Sequence, residues 1–133
     1  MTRRQARKRV LDCLYEASMG KDMDDFLVQY EDDKQYGFIR NFVDTVKKNT
    51  EFCDEIISRY SKNWELSRIG QVDKLILRMG ISEIKAMKID KRIAINEAVE
   101  LAKTYSTEKS PAFINGILNR AAEDGENTGG NGK

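Results

Sequence analysis

The stretch Gln71 to Lys88, QVDKLILRMGISEIKAMK, constrains the fold more than any other. At about 100° per residue, Val72, Ile76, Met79 and Glu83 fall on one face of a helix, and Leu75, Leu77, Ile81, Ile84 and Met87 occupy most of the remainder. A helix that is apolar nearly all round has to be surrounded by other elements. Asp73 in its first turn and Lys85 and Lys88 at its far end complement the helix dipole. Gly80 interrupts it at a cost of about 1 kcal/mol relative to alanine, which a close crossing by another helix would offset. The chain is therefore expected to assemble around a buried helix over 71–88.

The flanking segments supply the covering helices. Residues 3–19 place Ala6, Val10, Cys13, Leu14 and Ala17 on one side and Arg4, Lys8, Leu11 and Tyr15 on the other, with Arg7 flanking that second face. Gly20 stops this helix, and an acidic, weakly amphipathic segment follows with Met23, Phe26, Leu27 and Tyr30 at helical spacing. From about Gln35 to Tyr60 apolar residues recur at three and four, with Asn49 and Thr50 marking a break. Residues 61–70 form a connector anchored by Trp64, Leu66 and Ile69. Ile95, Ala98, Val99, Ala102 and Tyr105 define another amphipathic helix, and Ser110-Pro111 reads as an N-cap followed by proline at the first helical position. The last stripe is Phe113, Ile114, Ile117, Leu118 and Ala121, with Gly116 inside it; one close crossing at Gly80 would account for both glycines. No segment alternates with period two for long enough to make a strand. The expectation is an all-α single domain over 1–122, followed by a Gly- and Asn-rich disordered tail over 123–133.

Charge narrows the function. The net charge is only +1, but Arg3, Arg4, Arg7, Lys8 and Arg9 open the chain while Asp22, Asp24, Asp25, Glu31, Asp32 and Asp33 follow. Nucleic-acid binding would have to rest on this local segregation. There is no histidine, which removes the commonest general base and the usual zinc ligand. Cys13 and Cys53 stand alone and read as reduced core thiols. No apolar run approaches the roughly 20 residues that span a bilayer, and no signal-peptide cleavage pattern follows the basic start, so a cytoplasmic protein without cofactor is expected. Adjacent acids such as Asp24-Asp25 and Asp32-Asp33 diverge by about 100° on a helix, which argues against a metal-dependent nuclease. The first helix instead offers guanidinium groups beside the Tyr15 ring, the pairing of phosphate charge and stacking surface that RNA readers use. The same face is equally compatible with solvated surface, or with a second helix covering Leu11 and Tyr15.

In the second half of the chain, GQVDKLILR at 70–78, AINEAVELAK at 94–103 and FINGIL at 113–118 resemble the signature of the NusB family of bacterial transcription antitermination factors. The basic opening with Ala6 between Arg4 and Arg7, and the pair Leu14-Tyr15, are similar to that family's arginine-rich RNA-binding motif. The likeness runs in order along nearly the whole chain. It implies about seven helices in two three-helix-bundle-like halves and binding of the boxA RNA element jointly with NusE, a small-subunit ribosomal protein, in a processive RNA polymerase complex on ribosomal RNA operons; that no enzyme is expected rests instead on the missing histidine and the lack of convergent acidic groups. Carried over residue by residue, Arg3, Arg4 and Arg7 match the basic motif, Tyr15 is its aromatic neighbour, and Phe113 lies near the RNA path; Lys8, on the same helix face as Arg4, is added to the RNA-binding set. Lys109, in a loop position that can be acidic in relatives, joins the RNA-binding set, and Asp73 matches an acidic position of the NusE contact. Asn96 and Asn115 are assigned to internal hydrogen bonds or capping. Asp90 stands where the family often has proline, a departure expected to loosen its connector. A related module occurs fused to RNA cytosine methyltransferases, but this chain has no Gly-rich cofactor loop. The rival from another class is an adaptor that binds a protein through the acidic segment or the Phe113 region without touching RNA.

Overall fold

The computed structural model describes residues 1–62 and 65–125, and within them every regular element is helical. In chain order these are α1 (Arg3–Ser18), α2 (Met23–Leu27), a 3₁₀ turn (Val28–Tyr30), α3 (Tyr36–Lys48), α4 (Thr50–Tyr60), a second 3₁₀ turn (Leu66–Arg68), α5 (Gln71–Lys85), α6 (Lys91–Tyr105) and α7 (Ser110–Glu123). Helix α5 is the shared centre. It packs on α1, α3, α4, α6 and α7, and Leu75, Ile76, Leu77, Met79, Gly80, Ile81, Ser82 and Glu83 are all buried in it. Helices α5, α6 and α7 form one mutually packed group with α4 against α5 and α7, while α1 and α3 carry the N-terminal half onto α5. Among the described residues no helix is long and apolar enough to cross a membrane.

Boundaries follow local chemistry. Thr2 and Gln5 form a reciprocal capping box at the start of α1, with Gln5 N donating to Thr2 Oγ1 at 3.0 Å and Thr2 N donating to Gln5 Oε1 at 2.8 Å. That cap holds a helix whose first turn carries no acid. Gly20 leaves α1 at φ +94°, a left-handed conformation that suits glycine. The 35–60 segment divides at Asn49, which ends α3 and begins α4, and its side-chain amide donates back to the Thr45 carbonyl. Cys13 and Cys53 are free and buried, and burial pushes the Cys13 thiol up to about 11. Trp64 and residues 126–133 of the expected tail lie outside the described residues.

Several expectations change. Helix α5 stops at Lys85, short of Lys88, because Lys88 adopts a left-handed φ of 57° and the N–H groups of Met87 and Ile89 turn back to the Ser82 and Glu83 carbonyls. Asp90 does not loosen the next connector: its side chain accepts from Arg92 N at 2.8 Å and caps α6. Ser110 lies inside α7, with Lys109 at the N-cap position. The Gly80 crossing is real, since a Cβ there would sit 2.7 Å from a Leu118 methyl. A Cβ at Gly116 would meet nothing within 4 Å, so the same crossing does not explain that glycine. Asn96 is exposed in the middle of α6, where it caps nothing, whereas Asn115 accepts from Asn119 one turn on.

Candidate nucleic-acid interface

Each cation of the basic opening meets a different set of partners. Arg3 donates through Nε to Gln35 Oε1 at 2.9 Å, and its guanidinium lies 4.0 Å from the centre of the Phe38 ring. Arg4 reaches across to α6 and grips the Glu97 carboxylate with two bonds, 3.1 Å from Nε and 2.9 Å from Nη2. The hydrogen bond and charge of Glu97 hold the Arg4 guanidinium above its ordinary value. Lys8 pairs with Asp12 one turn along and lies 4.3 Å from the Tyr105 ring centre. Arg9 also pairs with Asp12, at 3.1 Å.

Arg7 differs from the expectation. It is only 5% exposed and donates to both oxygens of buried Glu83 on α5, with the shortest contact 2.7 Å. Burial pushes the Glu83 carboxyl up, against the opposing pull of Arg7. Arg7 therefore belongs to the core, where it ties α1 to the central helix, and is removed from the exposed basic face. Leu11 is buried as well, whereas Tyr15 on the same helical line is 41% exposed. The alternative that one helix covers both is thus half right. Tyr15 lies seven residues beyond Lys8, about 10 Å along the axis at 1.5 Å per residue, and does not join the groove that Arg4 and Lys8 form with α6.

That groove, of about 290 Å³, runs between α1 and α6 over Arg4, Lys8, Arg9, Glu97, Thr104 and Tyr105. Tyr105 also lines a second, larger cavity of about 640 Å³, together with Arg68, Asp73, Thr107, Lys109 and Phe113. The two hollows thus meet at a ring that is 43% exposed. Sequence spacing assigned Tyr105 to the core stripe of α6; it is the last residue of that helix, and its terminal place is the signal that it leaves the core.

The floor of the larger cavity is a hydroxyl cluster on Asp73. Ser106 and Ser110 each donate to one of its carboxylate oxygens, Ser110 at 2.8 Å, and the two serine oxygens are 2.9 Å apart. Thr107 completes it, with its N–H donating to Ser110 Oγ at 3.3 Å and its hydroxyl 2.8 Å from the same oxygen. Asp73 therefore holds the turn that presents Lys109 and the first turn of α7. The adjacent acids of the N-terminal third have other work: Asp24 bonds Arg40 at 2.7 Å and Asp33 bonds the N-terminal ammonium at 3.0 Å. Among the described residues no group of three or more His, Cys, Asp or Glu side chains is placed to hold a metal.

Comparison with known proteins places this architecture. The model of the NusB family matches residues 4–123. The transcription antitermination protein NusB of Campylobacter hominis is 42% identical over 124 residues, covering 90% of this chain and 95% of the relative. A solved structure of T. maritima NusB superposes with a TM-score of 0.83 at 34% identity, over 93% of this chain and 92% of that one. A structure of the antitermination factors NusB and NusE in complex with double-stranded RNA superposes with a TM-score of 0.79 at 25% identity, over 92% and 98%.

Proposed function

The chain belongs to the NusB family, and we propose that it is a cytoplasmic, non-enzymatic transcription antitermination factor that binds boxA-type single-stranded RNA together with NusE, within a processive RNA polymerase complex on ribosomal RNA operons. In this reading Arg3, Arg4 and Lys8 meet phosphates, Tyr105 and Phe113 offer ring faces to unstacked bases, and Lys109 adds a cation at the start of α7. Tyr15 extends the aromatic surface further down α1. Arg7 acts by anchoring the helix that carries the others. NusE meets the Asp73 side of the larger cavity, where the hydroxyl cluster sets the shape of the 106–109 turn.

The observation that carries this reading is the junction at Tyr105, which makes one route from the basic groove to Lys109 and Phe113. Alternating cations and rings along one route suit single-stranded RNA, whose phosphates attract Lys and Arg and whose bases stack on aromatics. The test is a titration of boxA-type RNA with and without NusE at several salt concentrations. The proposal expects RNA binding that weakens steeply with salt and tightens when NusE is present. Salt-insensitive binding to NusE with no RNA binding would favour the protein-only adaptor instead.

A further inference from the structure

Among the described residues, four cations of the basic opening have anionic partners within the protein, and only one of those partners on the exposed face comes from another part of the chain. Lys8 and Arg9 share Asp12 on their own helix. Arg4 instead holds Glu97, 93 residues away on α6. The two sides of that pair are unlike: the Arg4 side chain is 61% exposed and that of Glu97 only 14%. Arg4 can swing to a phosphate with little change in its surroundings. Glu97 cannot follow. When the guanidinium leaves, a partly covered carboxylate lining the groove loses both of its hydrogen bonds to Arg4 and faces an incoming anion.

We propose that Glu97 is a specificity-determining residue of the basic face, which penalises ligands that offer only phosphate and admits those that bring a hydrogen-bond donor to replace Arg4. The inference rests on the RNA-binding reading above. A phosphate chain without bases has no donor, so capturing Arg4 gives up the two charge-assisted bonds to Glu97 and sets that carboxylate against the incoming anion. An RNA base can present N–H groups, such as the amino group of cytosine, for which a carboxylate is the natural acceptor. Discrimination then comes from a built-in repulsive element rather than from added attraction. Glu100, whose charge also acts on Arg4, is itself paired with Lys103 at 3.2 Å and does not substitute for Glu97.

The test compares Glu97→Gln with the parent for two ligands, a boxA-type RNA and inorganic polyphosphate, with Glu55→Gln as a control that removes one exposed negative charge on α4. Glutamine keeps the volume of Glu97 and one acceptor, and an unchanged melting curve verifies folding. The expected result is that Glu97→Gln binds polyphosphate about threefold tighter or more, gains less for the RNA, and so lowers the RNA-to-polyphosphate preference, while Glu55→Gln leaves that preference unchanged. Equal gains for both ligands, or behaviour like Glu55→Gln, would overturn the role of Glu97 while leaving RNA binding intact. A parent protein that binds no boxA-type RNA would overturn both this inference and the reading it rests on.

Discussion

Arg4 and Arg7 lie within one helical turn and carry the same group, yet the structure gives them opposite tasks. The Arg7–Glu83 pair is buried on both sides, and removing one member of a buried, well-bonded pair leaves the other charge without compensation. Arg7→Ala should therefore destabilise the fold by about 3–5 kcal/mol, read by urea unfolding, whereas Arg4→Ala should leave the unfolding curve in place and weaken RNA binding. Equal stability of the two variants would mean that the buried pair is not what holds α1. Tyr105 is the second residue on which the account turns. Tyr105→Ala should lower RNA affinity by about tenfold, within the range of a lost base–aromatic stack, with little effect on melting. The signal for Arg7 was present in the sequence: its direction is only about 20° from that of Leu14 at 100° per residue, but its charge argued for the surface. What a single helix could not reveal was Glu83, 76 residues away.

At the scale of elements, the two helical glycines give opposite predictions. Gly80 faces Leu118 so closely that a methyl group would stand 2.7 and 2.9 Å from its two terminal carbons, and Leu118 is itself fully buried. Gly80→Ala should lose about 1 kcal/mol or more of stability, overpacking outweighing the gain in helix propensity. Gly116 has open space, so Gly116→Ala should gain up to about 1 kcal/mol. Thermal unfolding of both variants checks the pair, and a stabilised Gly80→Ala would show that the α5–α7 crossing can relax. Capping gives a pH prediction. The side chain and backbone of Arg92 hold the Asp90 carboxyl below its ordinary value of 3.8. Its contribution is therefore present above that value and is lost as pH falls through the depressed one. Asp90→Asn keeps a capping oxygen without the titration, so its melting temperature should fall less steeply in acid than that of the parent; parallel curves would deny the cap its charge. The helices themselves were legible because apolar spacing records burial. Their ends were not, since Lys88, Asp90 and Ser110 take positions set by turns and by partners on other helices.

For the whole molecule, the centrality of α5 could be read from a helix apolar all round, and the surrounding helices from their stripes. The continuity of the interface could not. It depends on α6 delivering Glu97 to Arg4 and Tyr105 to Lys8, and on Asp73 drawing Ser106 and Ser110 together beneath Lys109, contacts between segments far apart in the chain. The central claim is that one strand of RNA follows this route and meets cations at both of its ends. The salt dependence of binding measures that directly, because the slope of log affinity against log salt counts neutralised phosphates, at about 0.7 per phosphate for a single strand. If Arg4 and Lys109 each neutralise one phosphate, the Arg4→Ala, Lys109→Ala double variant should have a slope shallower than the parent's by about 1.4, with each single variant supplying half. A double variant whose slope equals the parent's would contradict the account, since it would mean that the RNA does not travel from the basic groove to the start of α7.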